Sequence, residues 1–242
     1  MDNQVKFLVQ KIKKMKYQTI LSLKSIMVLM LFLCLFLRVA AQDDGPEKWE
    51  ETIQQFEKQD QENPVHAGVI LFVGSSSIAM WRDIADYFPD HRVLNRGFGG
   101  SQFSDLIYYA DRVIYPYKPT KVFVYEGDND IAAGDDPKTV VKEARKLRKM
   151  IAKALGRDVP VIFISPKPSV ARWNLKDQYE TVNGRLEKFA NKAKNTEFAD
   201  VWTPAIGSDG KVFDHIFLAD NLHMNAEGYK IWQKVLMPYL AN

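Results

Sequence analysis

Three observations predict an α/β fold for this 242-residue chain: a three-layer α/β/α sandwich with a central parallel sheet of about five strands. First, strand-like apolar runs alternate with helical patterns, the order that parallel βαβ units require. Second, the run Val69-Ile70-Leu71-Phe72-Val73 has no polar break, as expected of a strand buried on both faces. Third, that run stops at Gly74 and continues as Ser75-Ser76-Ser77, three hydroxyls where a strand turns into a helix. In open α/β sheets ligands bind in the crevice beyond the carboxyl ends of the strands.

The chain opens with Lys11, Lys13, Lys14, Lys16 and Lys24, then an apolar block from Ile26 to Leu37 and the small residues Val39-Ala40-Ala41. Positive residues, a short apolar run and small residues make residues 1–41 an expected secretory signal peptide, cleaved after Ala41. The protein is then secreted or periplasmic. An uncleaved membrane anchor is the alternative, although the apolar block is short for a full span. Residues 42–65 read as a leader with an acidic helix over Glu47 to Asp60, and residues 66–242 as one domain.

Within that domain the expected strands are Gly68–Val73, Arg92–Leu94, Lys121–Tyr125, Val159–Ile164 and Phe198–Trp202. Expected helices span Gln102–Val113, Val140–Leu155, Lys176–Ala193 and Ala226–Leu240. In the second of these Val140, Val141, Ala144, Leu147, Ile151 and Leu155 recur near helical spacing. Its Lys/Arg residues read as a solvated face. Pro116, Pro119, Pro137, Pro166 and Pro168 mark loops or helix starts, because proline lacks an N–H and has a fixed φ.

Charge narrows the function. The whole chain carries 33 Lys+Arg against 30 Asp+Glu, a net +3. Residues 1–41 hold seven of those cations and one acid, so the rest has 26 against 29, a net −3. No nucleic-acid surface is expected from such a balance. The sole cysteine, Cys34, lies in the signal, which leaves the mature chain no disulfide, thiol nucleophile or thiolate metal site.

Four blocks fall at expected element ends: Gly74-Ser75-Ser76-Ser77, Asn95-Arg96-Gly97-Phe98-Gly99-Gly100-Ser101, Gly127-Asp128-Asn129-Asp130 and Asp220-Asn221-Leu222-His223. Parallel strands bring the first three to one sheet edge, which a loop entering the last helix can reach. Together they supply what acyl transfer needs. A serine hydroxyl is a weak nucleophile until a base takes its proton, and histidine suits that task near neutral pH. Asp220, three positions before His223, can orient the imidazole. A backbone N–H beside the serine, the Gly100 N–H and the Asn129 amide can hold an oxyanion.

Other readings are plainer. Asn129 also suits a turn, and the glycines a tight backbone path. His215, after Asp214, is the rival base, although adjacent residues rarely face each other. His66 and His91 have no partner pattern, and the four histidines show no metal-ligand spacing. Asp130 is expected to tie loops together, Trp81 to lie in the core, and Trp173 to wall the site or to pack at the surface. A Gly-Ser-Ser-Ser turn could instead hold a phosphate or flavin phosphate without turnover.

The four blocks in this order resemble the SGNH hydrolases, the GDSL esterase/lipase superfamily, over most of residues 68–242. The family's Gly-Asp-Ser falls on Gly74-Ser75-Ser76, with Ser75 in place of Asp. Its Gly-x-Asn-Asp and Asp-x-x-His blocks are intact at Gly127–Asp130 and Asp220–His223. The resemblance implies a flavodoxin-like sheet and serine hydrolysis of esters with no cofactor and no metal. Ser76 becomes the nucleophile, with Ser75 and Ser77 as alternatives and Ser77 suited to cap the helix. The triad is Ser76, Asp220 and His223, and the oxyanion hole Ser76, Gly100 and Asn129. The expected substrate is a short acyl ester or an acetylated carbohydrate. A lysophospholipase or thioesterase, and a silent carbohydrate-binding relative, are the alternatives.

Overall fold

The computed structural model describes residues 45–241. The expected signal peptide, its cleavage point and the first leader residues lie outside the described residues. A 3-10 turn, Pro46–Trp49, leads into α1 (Glu50–Glu62). There follow β1 (Ile70–Gly74), α2 (Ser76–Ala79), α3 (Ile84–Tyr87), β2 (Val93–Gly97), α4 (Phe103–Tyr108) and α5 (Ala110–Val113). Next come β3 (Lys121–Tyr125), α6 (Asp128–Ala133), α7 (Pro137–Leu155), β4 (Val161–Ile164), α8 (Lys176–Ala190), β5 (Thr196–Ala199) and α9 (Ala226–Leu240).

The five strands form one sheet in the order β2-β1-β3-β4-β5, and every pairing is parallel. Alternate residues of a strand face opposite ways, so each face of the sheet has its own core. Leu71, Val73, Val122, Val124, Val161 and Phe163 pack on one face with Ile53, Leu147 and Leu186. Phe72, Phe123, Tyr125, Ile162 and Ile164 pack on the other with Trp81, Trp232 and Leu236. Phe72 and Phe123 are register partners on β1 and β3, and their rings stack at 4.4 Å. Burial on both faces explains the unbroken apolar run of β1.

Helix α7 starts where its sequence provides a start. Asp136 accepts the Lys138 N–H at 2.7 Å, and Pro137 occupies the first turn, where no N–H is needed. Its cationic face is not wholly solvated. Arg148 is buried and donates to Thr196 Oγ1 at 2.9 Å and to the carbonyl of Lys194.

β3 and α9 match the expected bounds, whereas the edge strands differ. β2 continues through Asn95-Arg96-Gly97, which reads as loop from its polarity. There the Asn95 amide caps the Ile78 and Trp81 carbonyls, and Arg96 is buried against Tyr117 and Asp60. β5 begins earlier and ends at Ala199, because Asp200 takes the Trp202 and Thr203 N–H groups into a turn. Among the described residues no helix is long and apolar enough to cross a membrane, and no His/Cys/Asp/Glu cluster could hold a metal ion.

Candidate active site

The turn after β1 depends on Gly74. Its φ is +128°, and a Cβ there would stand 2.0 Å from the Tyr125 carbonyl oxygen. Only glycine lets the chain leave the sheet this close to β3. Ser75 then caps α2, with its hydroxyl accepting the Ser76 N–H at 2.6 Å. The cap is therefore Ser75 and not Ser77. The Ser77 hydroxyl is buried without a hydrogen-bond partner among the described residues.

Ser76 Oγ lies 3.0 Å from His223 Nε2, and His223 Nδ1 lies 2.6 Å from Asp220 Oδ2. The loop bearing this pair is a short hairpin. Phe217 and Met224 pair antiparallel, Leu218 N–H donates to the His223 carbonyl, and Asn221 adopts φ +57° at the bend. Asp220 Oδ1 accepts the N–H groups of Leu222 and His223, each at 2.9 Å. The imidazole hydrogen bond, then these two N–H groups, hold the Asp220 carboxyl well below the usual carboxylate range. Asn225 caps α9 immediately afterward, and Tyr229 on that helix donates to the Ser77 carbonyl, tying the hairpin to the α2 turn. The rival His215 is exposed. Its ring nitrogens face Asp214 and Glu227 at 4.0 and 3.9 Å.

Opposite the histidine lies the block after β3. Asn129 Nδ2 donates to Ser75 Oγ and to the Ser101 carbonyl, both at 2.9 Å. This gives Ser75 a use that its sequence position does not suggest: its hydroxyl joins the Ser76 turn to the Asn129 amide. Gly100 has φ +86° and lies between Gly99, whose added Cβ would sit 3.8 Å from Ser76 Cβ, and Ser101. Its N–H donates to no acceptor among the described residues. Asp130 links two loops as expected, accepting the Phe103 and Gly127 N–H groups at 3.0 Å each, and burial pushes its carboxyl up to about 7.

Several residues at this edge escape the sequence reading. Asp128, beside Asn129, is buried and receives Lys167 Nζ at 3.2 Å, Arg172 at 2.6 Å, Tyr125 OH at 2.7 Å and Tyr179 OH at 2.6 Å. Burial acts to raise its carboxyl, yet the two cations and two phenols hold it well below the usual range. Arg172 also donates to Asn129 Oδ1 at 3.1 Å. The buried Glu126 accepts the Ser101 hydroxyl at 2.6 Å, and burial, then Asp130, push its carboxyl well up. The available signal was two cations after the fourth strand, facing an acidic block after the third.

Trp173 belongs to the same loop and stacks on Trp202 at 6.1 Å. With Val170 and Phe213 it walls a groove of about 590 Å³ that Asp209 and Asp214 also border. Ala171 N–H donates to the Asn221 carbonyl at 3.1 Å, which pins this loop to the His223 hairpin. A groove of about 770 Å³ between α7 and α8 is lined by Lys142, Arg145, Lys149 and Arg185, and none of the expected site residues borders it. The arrangement places a hydroxyl, an imidazole and a carboxylate in line, with the Asn129 amide bonded to the hydroxyl of the adjoining Ser75.

Solved structures share this fold. A Streptococcus pneumonia chain named for platelet activating factor aligns at 20% identity and TM-score 0.73, covering 85% of this chain and 99% of its own. A GDSL-like lipase from Bacteroides thetaiotaomicron aligns at 18% identity and TM-score 0.67, covering 78% and 96%. An acetylxylan esterase from Geobacillus stearothermophilus aligns at 14% identity and TM-score 0.58, covering 73% and 96%. No curated protein matches the chain. The family model for the GDSL-like lipase/acylhydrolase family matches residues 67–231, and the chain belongs to that family.

Proposed function

We propose that this protein is a secreted serine esterase acting on short acyl esters or acetylated carbohydrate. The observation that carries the reading is the line Ser76 Oγ, His223 Nε2, His223 Nδ1, Asp220 Oδ2, with gaps of 3.0 Å and 2.6 Å. In the reaction Ser76 attacks the ester carbonyl while His223 takes its proton. His223 then gives that proton to the leaving alcohol, and water hydrolyses the acyl-serine by the same route in reverse. Asp220 accepts from Nδ1, which keeps Nε2 free to act as base and stabilises the imidazolium. The Ser76 and Gly100 N–H groups and the Asn129 amide receive the oxyanion. Each side chain is supplied by the protein, and the chemistry calls for no metal or cofactor.

The Trp173 groove, which Ser76 and His223 do not line, has the makings of a sugar site, since indole faces stack on pyranose rings and Asp209 and Asp214 can accept from hydroxyls. The likeness to an acetylxylan esterase points the same way. The phosphate-cradle reading is disfavoured because the Ser76 hydroxyl is directed to the imidazole of His223, a pairing that a phosphate cradle has no use for. Purified residues 42–242 are expected to hydrolyse p-nitrophenyl acetate and to be labelled by a fluorophosphonate at Ser76. Ser76→Ala should remove both, with a rate loss on the order of 10⁴-fold or more. Full activity in that variant would overturn the nucleophile assignment.

A further inference from the structure

The Asn129 amide is held in one orientation by partners of opposite kinds. The Ser101 carbonyl can only accept, so it must face Nδ2. The Arg172 guanidinium can only donate, so it must face Oδ1. A flip of the amide would put donor against donor on one side and acceptor against acceptor on the other. Arg172 is itself fixed. Its other terminal nitrogen bonds Asp128 Oδ1 at 2.6 Å and the Asp128 carbonyl at 3.2 Å, and its backbone N–H bonds Ser169 Oγ at 3.2 Å.

The charges around Asp128 do not cancel. One carboxylate faces two cations, Lys167 and Arg172, and the two phenols bonded to it are held above their ordinary range, Tyr125 by burial first and Tyr179 likewise. One unit of formal positive charge is therefore left in a largely buried cluster whose outermost member touches Asn129 Oδ1. A cation donating to an amide oxygen polarises that amide and strengthens its N–H as a donor. A fixed positive charge behind the donor also favours negative charge developing in front of it.

We propose that Arg172 is a positioning residue for acyl transfer: it locks the Asn129 amide with Nδ2 toward the Ser76 turn and backs it with the net positive charge of the Asp128 cluster. This rests on the esterase reading, since the oxyanion is the species that the amide would receive. Lys167 shares the charge but does not touch Asn129, and its contact with Asp128 holds that carboxylate when Arg172 is changed.

The test is a double-mutant cycle on p-nitrophenyl acetate hydrolysis, with Arg172→Gln made in the wild type and in Asn129→Ala. In the wild type, Arg172→Gln is expected to lower kcat by about 10- to 100-fold, as a misplaced group of about 1 Å does, with KM changed less than about twofold. In the Asn129→Ala background the same change should cost less than about threefold. Arg172→Lys should recover part of the loss, because an ammonium restores the charge but not the planar fork. Equal losses in both backgrounds, or a loss confined to KM, would overturn the proposal.

Where Arg172→Gln does not fold, Arg172→Lys carries the cycle. A wild type that hydrolyses no ester would instead count against the esterase reading. Positioning is then read from the Asn129 side-chain amide in a ¹H–¹⁵N spectrum, assigned by its loss in Asn129→Ala. Its exchange with solvent should speed by about tenfold or more when Arg172 is changed. An unchanged exchange rate would refute positioning.

Discussion

The two sides of the site are held by opposite means. On the base side, Asp220 binds His223 through bonds that span three residues, and its side chain is 48% exposed. On the amide side, Asn129 is set by Asp128, whose side chain is 6% exposed and whose partners Tyr125, Lys167, Arg172 and Tyr179 come from three separate segments. A base must pass a proton to and from substrate, and Asp220 orients it from within the same hairpin. An oxyanion donor works by not moving, because its dipole must be aimed before charge develops. The base pair is thus set mainly by bonds within its own hairpin and the amide by bonds from distant segments, at one sheet edge.

Matched substitutions at the two aspartates separate these designs most sharply. Asp220→Asn should lower kcat on the order of 10⁴-fold by favouring the wrong imidazole tautomer. Its effect on folding should stay within about 1 kcal/mol, since the pair is exposed. Asp128→Asn should do the reverse in kind: it strands two cations near an amide, at a cost of about 3–5 kcal/mol of stability. A melting-temperature fall of about 10 °C is the expected readout for a domain of this size. If the two variants lost activity and stability in the same proportion, the contrast between an exposed, locally bonded side and a buried, long-range one would be wrong.

That contrast also explains what the sequence reveals. Asp220-x-x-His223 is legible because its bonds are local, so spacing alone carries them. The apolar run of β1, covered on both faces, is legible for the same reason: burial is uniform along it. Asp128 sits inside a recognised block, yet nothing local says that it is buried or that Lys167 and Arg172, 39 and 44 residues on, converge on it. The edge strands β2 and β5 are blurred because each carries polar side chains that find partners on other elements, Asn95 and Arg96 on β2 and Thr196 on β5. Arg96 on β2, buried against Asp60 of α1 and Tyr117, looks like loop until the fold supplies those partners. Ser75 is the same lesson within the site. Its cap on α2 is local, but its bond to Asn129, 54 residues on, is not legible from spacing.

A smaller effect tests that last link. Ser75→Ala removes the acceptor shared by the Ser76 N–H and Asn129 Nδ2. A hydrogen bond of this kind contributes about 1 kcal/mol, so kcat should fall about fivefold with KM nearly unchanged. Asn129 keeps Ser101 and Arg172 in this variant, so the loss should be smaller than for Arg172→Gln. A larger loss would make Ser75 rather than Arg172 the principal orienting contact.

The smallest effect concerns the floor of the buried side. Glu126 is buried, its Oε1 accepts the Ser101 hydroxyl, and its Oε2 has no partner among the described residues. Burial, then the Asp130 charge, raise its carboxyl well above the ordinary value, so the folded protein keeps a proton that the unfolded chain releases. A group with a raised folded pKa contributes stability fully below its unfolded pKa and loses it as pH rises toward the folded one. Asp130, raised to about 7 by burial, gives the same sign, but its contribution is spent once the pH passes that value. Glu126→Gln keeps the carbonyl that Ser101 needs and cannot ionise. Its stability should match the wild type within about 0.5 kcal/mol near pH 5. The variant should then gain on the wild type progressively as the pH rises above the ordinary glutamate value, and Asp130, present in both proteins, cancels from the comparison. Thermal melts of both proteins across that range decide it: parallel curves would mean that Glu126 is ionised in the fold, and that the Ser101 contact beneath Asn129 is made by a carboxylate.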